Sequence, residues 1–261
     1  TCGKLYWAGE YAILEPGQLA LIKAIPIYMT AEIESSEVYR LYSDMFTYSV
    51  DMRPDSSYAL LQETVALVED YLTAQGADLQ PFSIDIRGKM EREGKKFGLG
   101  SSGSVVVLVI KAMLAFYESP AERDILFKLA SAVLLKRGDN GSMGDIACIV
   151  SEALVLYQSF DREKVAQWLE KEDLPTVLAR DWGFSIRSVE PALDFDFLVG
   201  WTKEVAVSSH MVKQIKKNMN ASFLQASKET VTNLVKALQE GQEEKIMELL
   251  ERASQLLEGL S

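Results

Sequence analysis

The chain has 261 residues, 48% of them hydrophobic and 25% charged, which is typical of a globular protein large enough for one large domain or two packed ones. Its formal net charge of -11 argues against nucleic-acid binding, which depends on Lys and Arg at the phosphates. The sequence contains a single histidine, His210, so Ser-His-Asp or Cys-His hydrolase chemistry has only that side chain to use as a base.

The two cysteines, Cys2 and Cys148, form neither a disulfide framework nor a zinc-binding pattern. We expect both to be buried, unreactive thiols in a cytoplasmic protein. The longest apolar stretch, residues 105–117, is interrupted by Lys111 and is too short to cross a bilayer. No secretory signal is recognisable near Thr1, so no membrane partner is expected.

In the first third of the chain the hydrophobic pattern changes period several times. LALIKAIPIYMTAEI (19–33) and VYRLYSDMFTYSV (38–50) alternate and are rich in β-branched and aromatic residues, which predicts antiparallel strands. Residues 58–75 place apolar side chains at helical spacing and end at Gly76. FSIDIRG (82–88) returns to period two, which predicts another strand.

Farther along the chain, helical patterns dominate. Residues 105–117 and 123–136 predict buried helices, and a glycine-rich stretch follows the second. Residues 161–188 look irregular apart from a Trp-bearing helix, VAQWLEKE. DFDFLVGWT (194–202) predicts a strand that opens a second unit, and 208–260 predict amphipathic helix broken near Gly241.

KKFGLGSSGSVVVLV, residues 95–109, contains G-x-G-x-x-G at Gly98, Gly100 and Gly103. The preceding MEREGKKF is unlike a buried parallel strand, which excludes a Rossmann fingerprint, and no Gly-Lys-Ser/Thr closes a Walker A loop. One interpretation is an ordinary turn. The other is a phosphate loop, because a helix that starts there directs unpaired N–H groups at an anion.

Three stretches together resemble the GHMP kinases, a family named after galactokinase and the kinases of homoserine, mevalonate and phosphomevalonate. They are GKLYWAGEYAIL (3–14), GLGSSGSV (98–105) and GDNGSMGD (138–145), in the family's order and rough spacing. The resemblance implies an α+β GHMP kinase fold, a two-part α/β sandwich. It implies an N-terminal ATP-binding domain at 1–188 and, at 189–261, an incomplete part of the ferredoxin-like C-terminal domain.

WTKEVAVSSHMV (201–212) is similar to the family branch that phosphorylates 5-phosphomevalonate, and the whole chain resembles the streptococcal type of that branch. The resemblance implies transfer of the γ-phosphoryl of ATP to the phosphate of 5-phosphomevalonate. The product would be 5-diphosphomevalonate, in the mevalonate route to isoprenoids. Two alternatives remain open: a kinase acting on the hydroxyl of mevalonate, and a catalytically silent small-molecule sensor on the same fold.

The resemblance implies that Lys4 and Asp145 are catalytic and act as a pair. Lys4 would neutralise charge on the transferring phosphoryl group. The acceptor phosphate is already largely dianionic at neutral pH, so Asp145 would orient and balance charge rather than act as a base. The alternatives are a solvated surface lysine at Lys4 and a helix N-cap at Asp145.

The remaining site residues follow from the same resemblance and from the repulsion between two polyanionic substrates, which predicts a cluster of cations. Ser102, together with the nucleotide, would hold Mg²⁺, because SAVLLKR (131–137) lacks the acid that several relatives place there. Lys95, Lys136 and Arg137 are further candidate cations, whose alternative is plain solvation, and Glu10 is assigned no chemistry. The predicted ATP site contains Lys96, Gly98, Leu99, Gly100, Ser101, Ser102, Gly103 and Ser104. The predicted acceptor site contains Lys96, Ser142, Lys203, Ser208, Ser209 and His210.

Overall fold

The structure, a computed structural model, describes residues 1–88, 90–92, 95–200 and 219–260, except for the side chains of 91, 92, 95 and 96. Its first sheet is entirely antiparallel, in the order β1-β2-β9-β10. These strands are β1 (Cys2–Ala8), β2 (Leu19–Tyr28), β9 (Leu154–Gln158) and β10 (Ser185–Ser188). A short 3-10 helix, Ala12–Leu14, follows β1.

The second sheet has the order β3-β6-β4-β5. It contains β3 (Thr30–Ser35), β4 (Arg40–Ser43), β5 (Ser49–Val50) and β6 (Phe82–Arg87). β4 pairs antiparallel with β5, as predicted for 38–50, but on its other side it runs parallel to β6, which the prediction did not include. The reason is a helical crossover between them, the connection that parallel neighbours require. The charged connection after β6 contains a small hairpin, β7 (Glu91–Arg92) and β8 (Lys95–Lys96).

The helices predicted from periodicity are present where the structure describes the chain, and residues 208–218 of the predicted C-terminal helical stretch lie outside the described residues. Gly241 ends the penultimate helix with a left-handed φ of 67°, as expected for a C-terminal glycine. In the described part of the chain, no helix combines the length and apolarity that a bilayer span requires. The helices are α1 (Ala59–Ala74), α2 (Ser101–Phe116), α3 (Arg123–Lys136), α4 (Gly144–Ser151), α5 (Arg162–Lys171), α6 (Leu174–Ala179), α7 (Ala221–Glu240) and α8 (Glu243–Glu258).

Two predictions for the middle of the chain are wrong. The Trp-bearing helix predicted within 161–188 is α5, but the rest of this stretch is more regular than predicted, since α6 and β10 follow. Asp161 and Asp173 cap α5 and α6 by accepting backbone N–H bonds. The predicted strand at 194–202 is absent over 194–200, which are in neither helix nor strand, and 201–202 lie outside the described residues.

The core has two parts on opposite faces of the first sheet. On one face, α2 is buried among the other helices, with Val106, Val107 and Ile110 fully inaccessible. On the other, Leu21 and Leu156 of the sheet share a cluster with α7 and α8. The predicted boundary at 188/189 thus separates segments that pack on one sheet, and it stays a prediction. Cys2 and Cys148 are buried free thiols, as predicted.

Candidate active site

The strand that carries Lys4 is joined to the glycine loop through backbone contacts. The Lys4 N–H donates to the Leu99 carbonyl at 3.0 Å. Gly3 lies so close that a Cβ there would stand 3.0 Å from the Leu99 Cβ. A larger residue at position 3 would push β1 away from the loop, so Gly3 permits the contact that fixes Lys4 beside it.

The loop is shorter than predicted, because α2 begins at Ser101 instead of Val105. Gly98 and Gly100 turn the chain into the helix with left-handed φ values of 78° and 83°. The backbone N–H groups of Ser101, Ser102 and Gly103 donate no hydrogen bond to any described residue, and the first turn carries no acid. An open helix start of this kind, with its positive dipole end exposed, binds anions.

The serines of this helix start face different surroundings. Ser102 is exposed and Ser101 is half-buried. Ser104 is fully buried; its hydroxyl donates to the Cys2 carbonyl at 2.8 Å, and its N–H donates to Gly100 at 3.0 Å. The assignment of Ser104 to the ATP site is therefore corrected, because its hydroxyl holds α2 to β1 and its N–H closes the first turn of α2 at Gly100.

Asp145 reaches the same place from the first turn of α4. A Cβ on Gly103 would stand 3.0 Å from the Asp145 Oδ2. A Cβ on Gly100 would stand 3.0 Å from the Lys4 Cε and 3.6 Å from the Asp145 Cβ. The structure thus brings Lys4, Asp145 and two loop glycines together. The alternative of Asp145 as N-cap is wrong, because Met143 occupies that position.

The Lys4 ammonium influences the ionisation of the Asp145 carboxyl across this contact. Burial raises the pKa of the Asp145 carboxyl above its ordinary value, while the Lys4 ammonium and the Ile146 N–H oppose that rise. No direct Lys4–Asp145 ion pair forms among the described residues, whose ion pairs lie elsewhere. The ammonium therefore keeps its donors for a ligand while it stays in the carboxylate's field.

Ser142 lies in the turn before α4 and is buried. Its hydroxyl is 3.0 Å from the Tyr6 hydroxyl and accepts the Gly144 N–H at 3.2 Å, while its carbonyl accepts from Tyr157 at 2.8 Å. Sequence reasoning did not single out Tyr6. The available signal was its spacing, because residues two apart on a strand share one face, and Lys4 is on that face.

The other candidates for binding the acceptor phosphate lie outside the described residues or are paired elsewhere. Lys203, Ser208, Ser209 and His210 lie outside the described residues, and of Lys96 only the backbone, in β8, is described. Arg137 is already paired with Glu63 of α1 at 2.5 Å. Its charge is balanced there, which removes the reason to place it at an acceptor phosphate.

The donor set fits a magnesium ion that arrives with phosphates. Among residues 1–88, 90–92, 95–200 and 219–260, no group of three or more His, Cys, Asp or Glu side chains could hold a metal. Ser102 is exposed and stands at the open start of α2. Mg²⁺ commonly takes one or two protein ligands beside substrate phosphates and water.

Comparisons with known proteins place this geometry in a family. A family model described as the GHMP kinases N terminal domain matches residues 59–152. Phosphomevalonate kinase of Streptococcus pneumoniae, solved in complex with phosphomevalonate and AMPPNP, is 71% identical; the match covers 100% of this chain and 79% of that chain, with a TM-score of 0.98. The chain belongs to the GHMP kinase family.

Two more distant relatives of this GHMP kinase also match over nearly the whole chain. A phosphomevalonate kinase from Streptomyces sp. (strain CL190) is 26% identical over 284 residues, which cover 98% of this chain and 76% of that protein. The structure of a protein from Listeria innocua is 29% identical, covers 99% of this chain and 77% of that chain, and has a TM-score of 0.92. The α+β GHMP kinase fold predicted from the three motifs is confirmed.

Proposed function

We propose that this GHMP kinase transfers the γ-phosphoryl of ATP to the phosphate of 5-phosphomevalonate. The products are ADP and 5-diphosphomevalonate, in the mevalonate route to isoprenoids. The observation that carries the proposal is the 71% identity, over the whole chain, to a protein solved with phosphomevalonate and AMPPNP. The proposal is supported further by the geometry, in which a lysine, a carboxylate and an open helix start converge on one point.

The start of α2 binds the nucleotide phosphates. Its unpaired N–H groups at 101–103 provide donors, and Gly100 lets the loop backbone lie against Lys4. Phosphoryl transfer asks the protein mainly for positioning and for charge stabilisation. Lys4 supplies the charge stabilisation by placing its ammonium where negative charge accumulates on the transferring group.

Asp145 holds and balances Lys4. A phosphate acceptor has a second pKa of about 6 and is largely ionised at neutral pH, so it needs no base. The carboxylate beside the ammonium keeps the local charge near neutral before the substrates arrive. This role explains why a half-buried acid is retained at the first turn of α4 in spite of the burial that raises its pKa.

Ser102 would hold Mg²⁺ together with the nucleotide phosphates. When bound, the ion neutralises phosphate charge and aligns the two polyanions. We propose that the acceptor's own charge is read by polar and cationic side chains around the same loop and beyond it. These are Lys96, Ser142, Lys203, Ser208, Ser209 and His210.

We also propose that 1–188 forms the ATP-binding part and 189–261 a portion of the C-terminal part of the family fold. A cytoplasmic location, with two reduced thiols, remains a proposal as well; both cysteines are free and buried, as suits a reducing compartment.

An acceptor panel tests the function. ATP and Mg²⁺ are supplied with either phosphomevalonate or mevalonate, and ADP release is followed with Lys4→Met as the control for contaminating kinases. We expect rapid release with phosphomevalonate and at least about 10²-fold less with the Lys4 variant. Faster release with mevalonate would favour the hydroxyl kinase. Ligand binding without any release would favour a sensor.

A further inference from the structure

Tyr6 supports the ammonium of Lys4. The two residues are two positions apart on β1, so their side chains share one face of the strand. The Lys4 Nζ lies 5.3 Å from the centroid of the Tyr6 ring, within the range of a cation–π interaction. The ring therefore limits the directions in which the long lysine side chain can point.

The hydroxyl of the same tyrosine reaches the start of α4. It lies 3.0 Å from the Ser142 Oγ, which accepts the N–H of Gly144 at 3.2 Å. A Cβ at Gly144 would overlap the Tyr6 hydroxyl, so the ring packs directly on that backbone. Gly144 immediately precedes Asp145, and any shift of the tyrosine would move the helix start that carries the carboxylate.

This turn needs external support. Met143 is buried and has a left-handed φ of 62°, a conformation that is unfavourable for a residue with a side chain. Two tyrosine hydroxyls from neighbouring regions of the sheet hold the turn: Tyr6 at the hydroxyl of Ser142, and Tyr157 at its carbonyl. Of the two, Tyr6 also contacts Lys4.

We propose that Tyr6 is a positioning residue for phosphoryl transfer: its ring orients Lys4, and its hydroxyl, through Ser142 and Gly144, orients Asp145. The inference rests on the proposed kinase function, since it assigns Tyr6 to the machinery of that reaction. Burial and the nearby Asp145 raise the pKa of Tyr6 well above its ordinary value, so the hydroxyl stays protonated and able to donate.

Hydrogen exchange tests the contact without reference to activity. Tyr6→Phe keeps the ring and removes the hydroxyl, and we expect amide exchange at 143–146 to accelerate about tenfold. Tyr39→Phe is the matched control, because it removes a tyrosine hydroxyl that donates to Glu69 at 2.6 Å on another part of the molecule. Exchange at 143–146 should not change in that variant. Unchanged exchange in Tyr6→Phe would overturn the proposal, whatever reaction the enzyme catalyses.

A kinetic cycle tests the consequence. Tyr6→Phe should lower kcat about tenfold and leave both KM values within about twofold, because the hydroxyl acts through Asp145. In an Asp145→Asn background the same change should cost less than about twofold. An undiminished loss in that background, or a rise in KM alone, would refute positioning. Absence of ADP release by the wild type would instead refute the kinase function, and hydrogen exchange would then decide the role of Tyr6.

Discussion

The N-termini of α2 and α4 meet at the candidate active site and differ in which groups accept hydrogen bonds from their first backbone N–H groups. At α2, the N–H groups of residues 101–103 have no partner in the described part of the chain. At α4, the Ser142 hydroxyl accepts the Gly144 N–H, and Asp145 places a negative charge in the first turn. The start of α2 is open to the anion of a ligand, whereas the start of α4 carries an anion of the protein itself, the Asp145 carboxylate. Lys4 lies where the two meet, in contact with Gly100.

The largest effect should come from removing either charge at the meeting point. Lys4→Met and Asp145→Asn should each lower kcat by on the order of 10² or more. The first removes the charge that stabilises the transferring group, and the second removes the carboxylate that holds and balances Lys4. The double variant should lose much less than the product of the two, because the residues act as a unit. Steady-state kinetics on the three variants measure this, and strictly multiplicative losses would mean that Lys4 and Asp145 work independently.

Alanine substitutions at Gly100 and Gly98 distinguish the effect of crowding at Lys4 from the effect of backbone strain. Both have left-handed φ values, so Ala at either position costs about 1–2 kcal/mol of strain. A Cβ at Gly100 meets the Lys4 Cε at 3.0 Å, while one at Gly98 has no atom of a described residue within 4 Å. We expect similar losses in thermal stability but a kcat/KM for ATP at least about tenfold lower in Gly100→Ala than in Gly98→Ala. Equal kinetic losses would show that Gly100 does not position Lys4.

Ser102 and Ser104 should give opposite results. Ser102→Ala should raise the Mg²⁺ concentration at half-maximal velocity roughly fivefold, as expected for losing about 1 kcal/mol of interaction, and leave stability unchanged. Ser104→Ala should reduce the free energy of unfolding by about 1–3 kcal/mol, because the Cys2 carbonyl loses its partner, and leave the Mg²⁺ requirement unchanged. Magnesium titrations and urea unfolding measure the two effects. A shared phenotype would contradict the different orientations of the two hydroxyls.

The smallest expected effect is a pH-dependent stability difference at Asp145. Because its pKa is raised in the folded state, folding favours the protonated form, and stability falls as pH rises from the ordinary Asp value of about 4 through the folded pKa. Asp145→Asn cannot ionise, so its Tm relative to that of the wild type should increase as pH rises above the ordinary Asp value of about 4. Thermal unfolding without ligands measures this. A constant difference across that range would mean that the carboxyl titrates normally.

Sequence patterns predicted those structural elements that depend on interactions between residues near one another in the chain. The helices at 58–75 and 123–136 follow from apolar spacing, and Gly241 ends a helix because of its own conformational freedom. The parallel pairing of β4 with β6 depends on a crossover, which no periodicity reports.

The candidate site divides in the same way between local and long-range causes. The motifs predicted that Lys4, Asp145 and the glycine loop would be neighbours, and the structure brings them together. Ser104 was misassigned because α2 was expected to begin at Val105. With a start at Ser101, residue 104 shares a helix face with Val107 and Leu108, and its burial could have been predicted. The bond between Tyr6 and Ser142 spans 136 positions and has no signature in the sequence.

A ³¹P NMR spectrum of the reaction products tests the central claim most directly. ATP, Mg²⁺ and phosphomevalonate are incubated with the wild type, with Lys4→Met or with Asp145→Asn. The account predicts that the wild type replaces the phosphomonoester signal with the coupled pair of signals of a diphosphate as ADP appears, and that both variants form this product at most about 10⁻² as fast. An unaltered phosphomonoester signal in the wild-type reaction, or diphosphate formed equally fast by the variants, would contradict it.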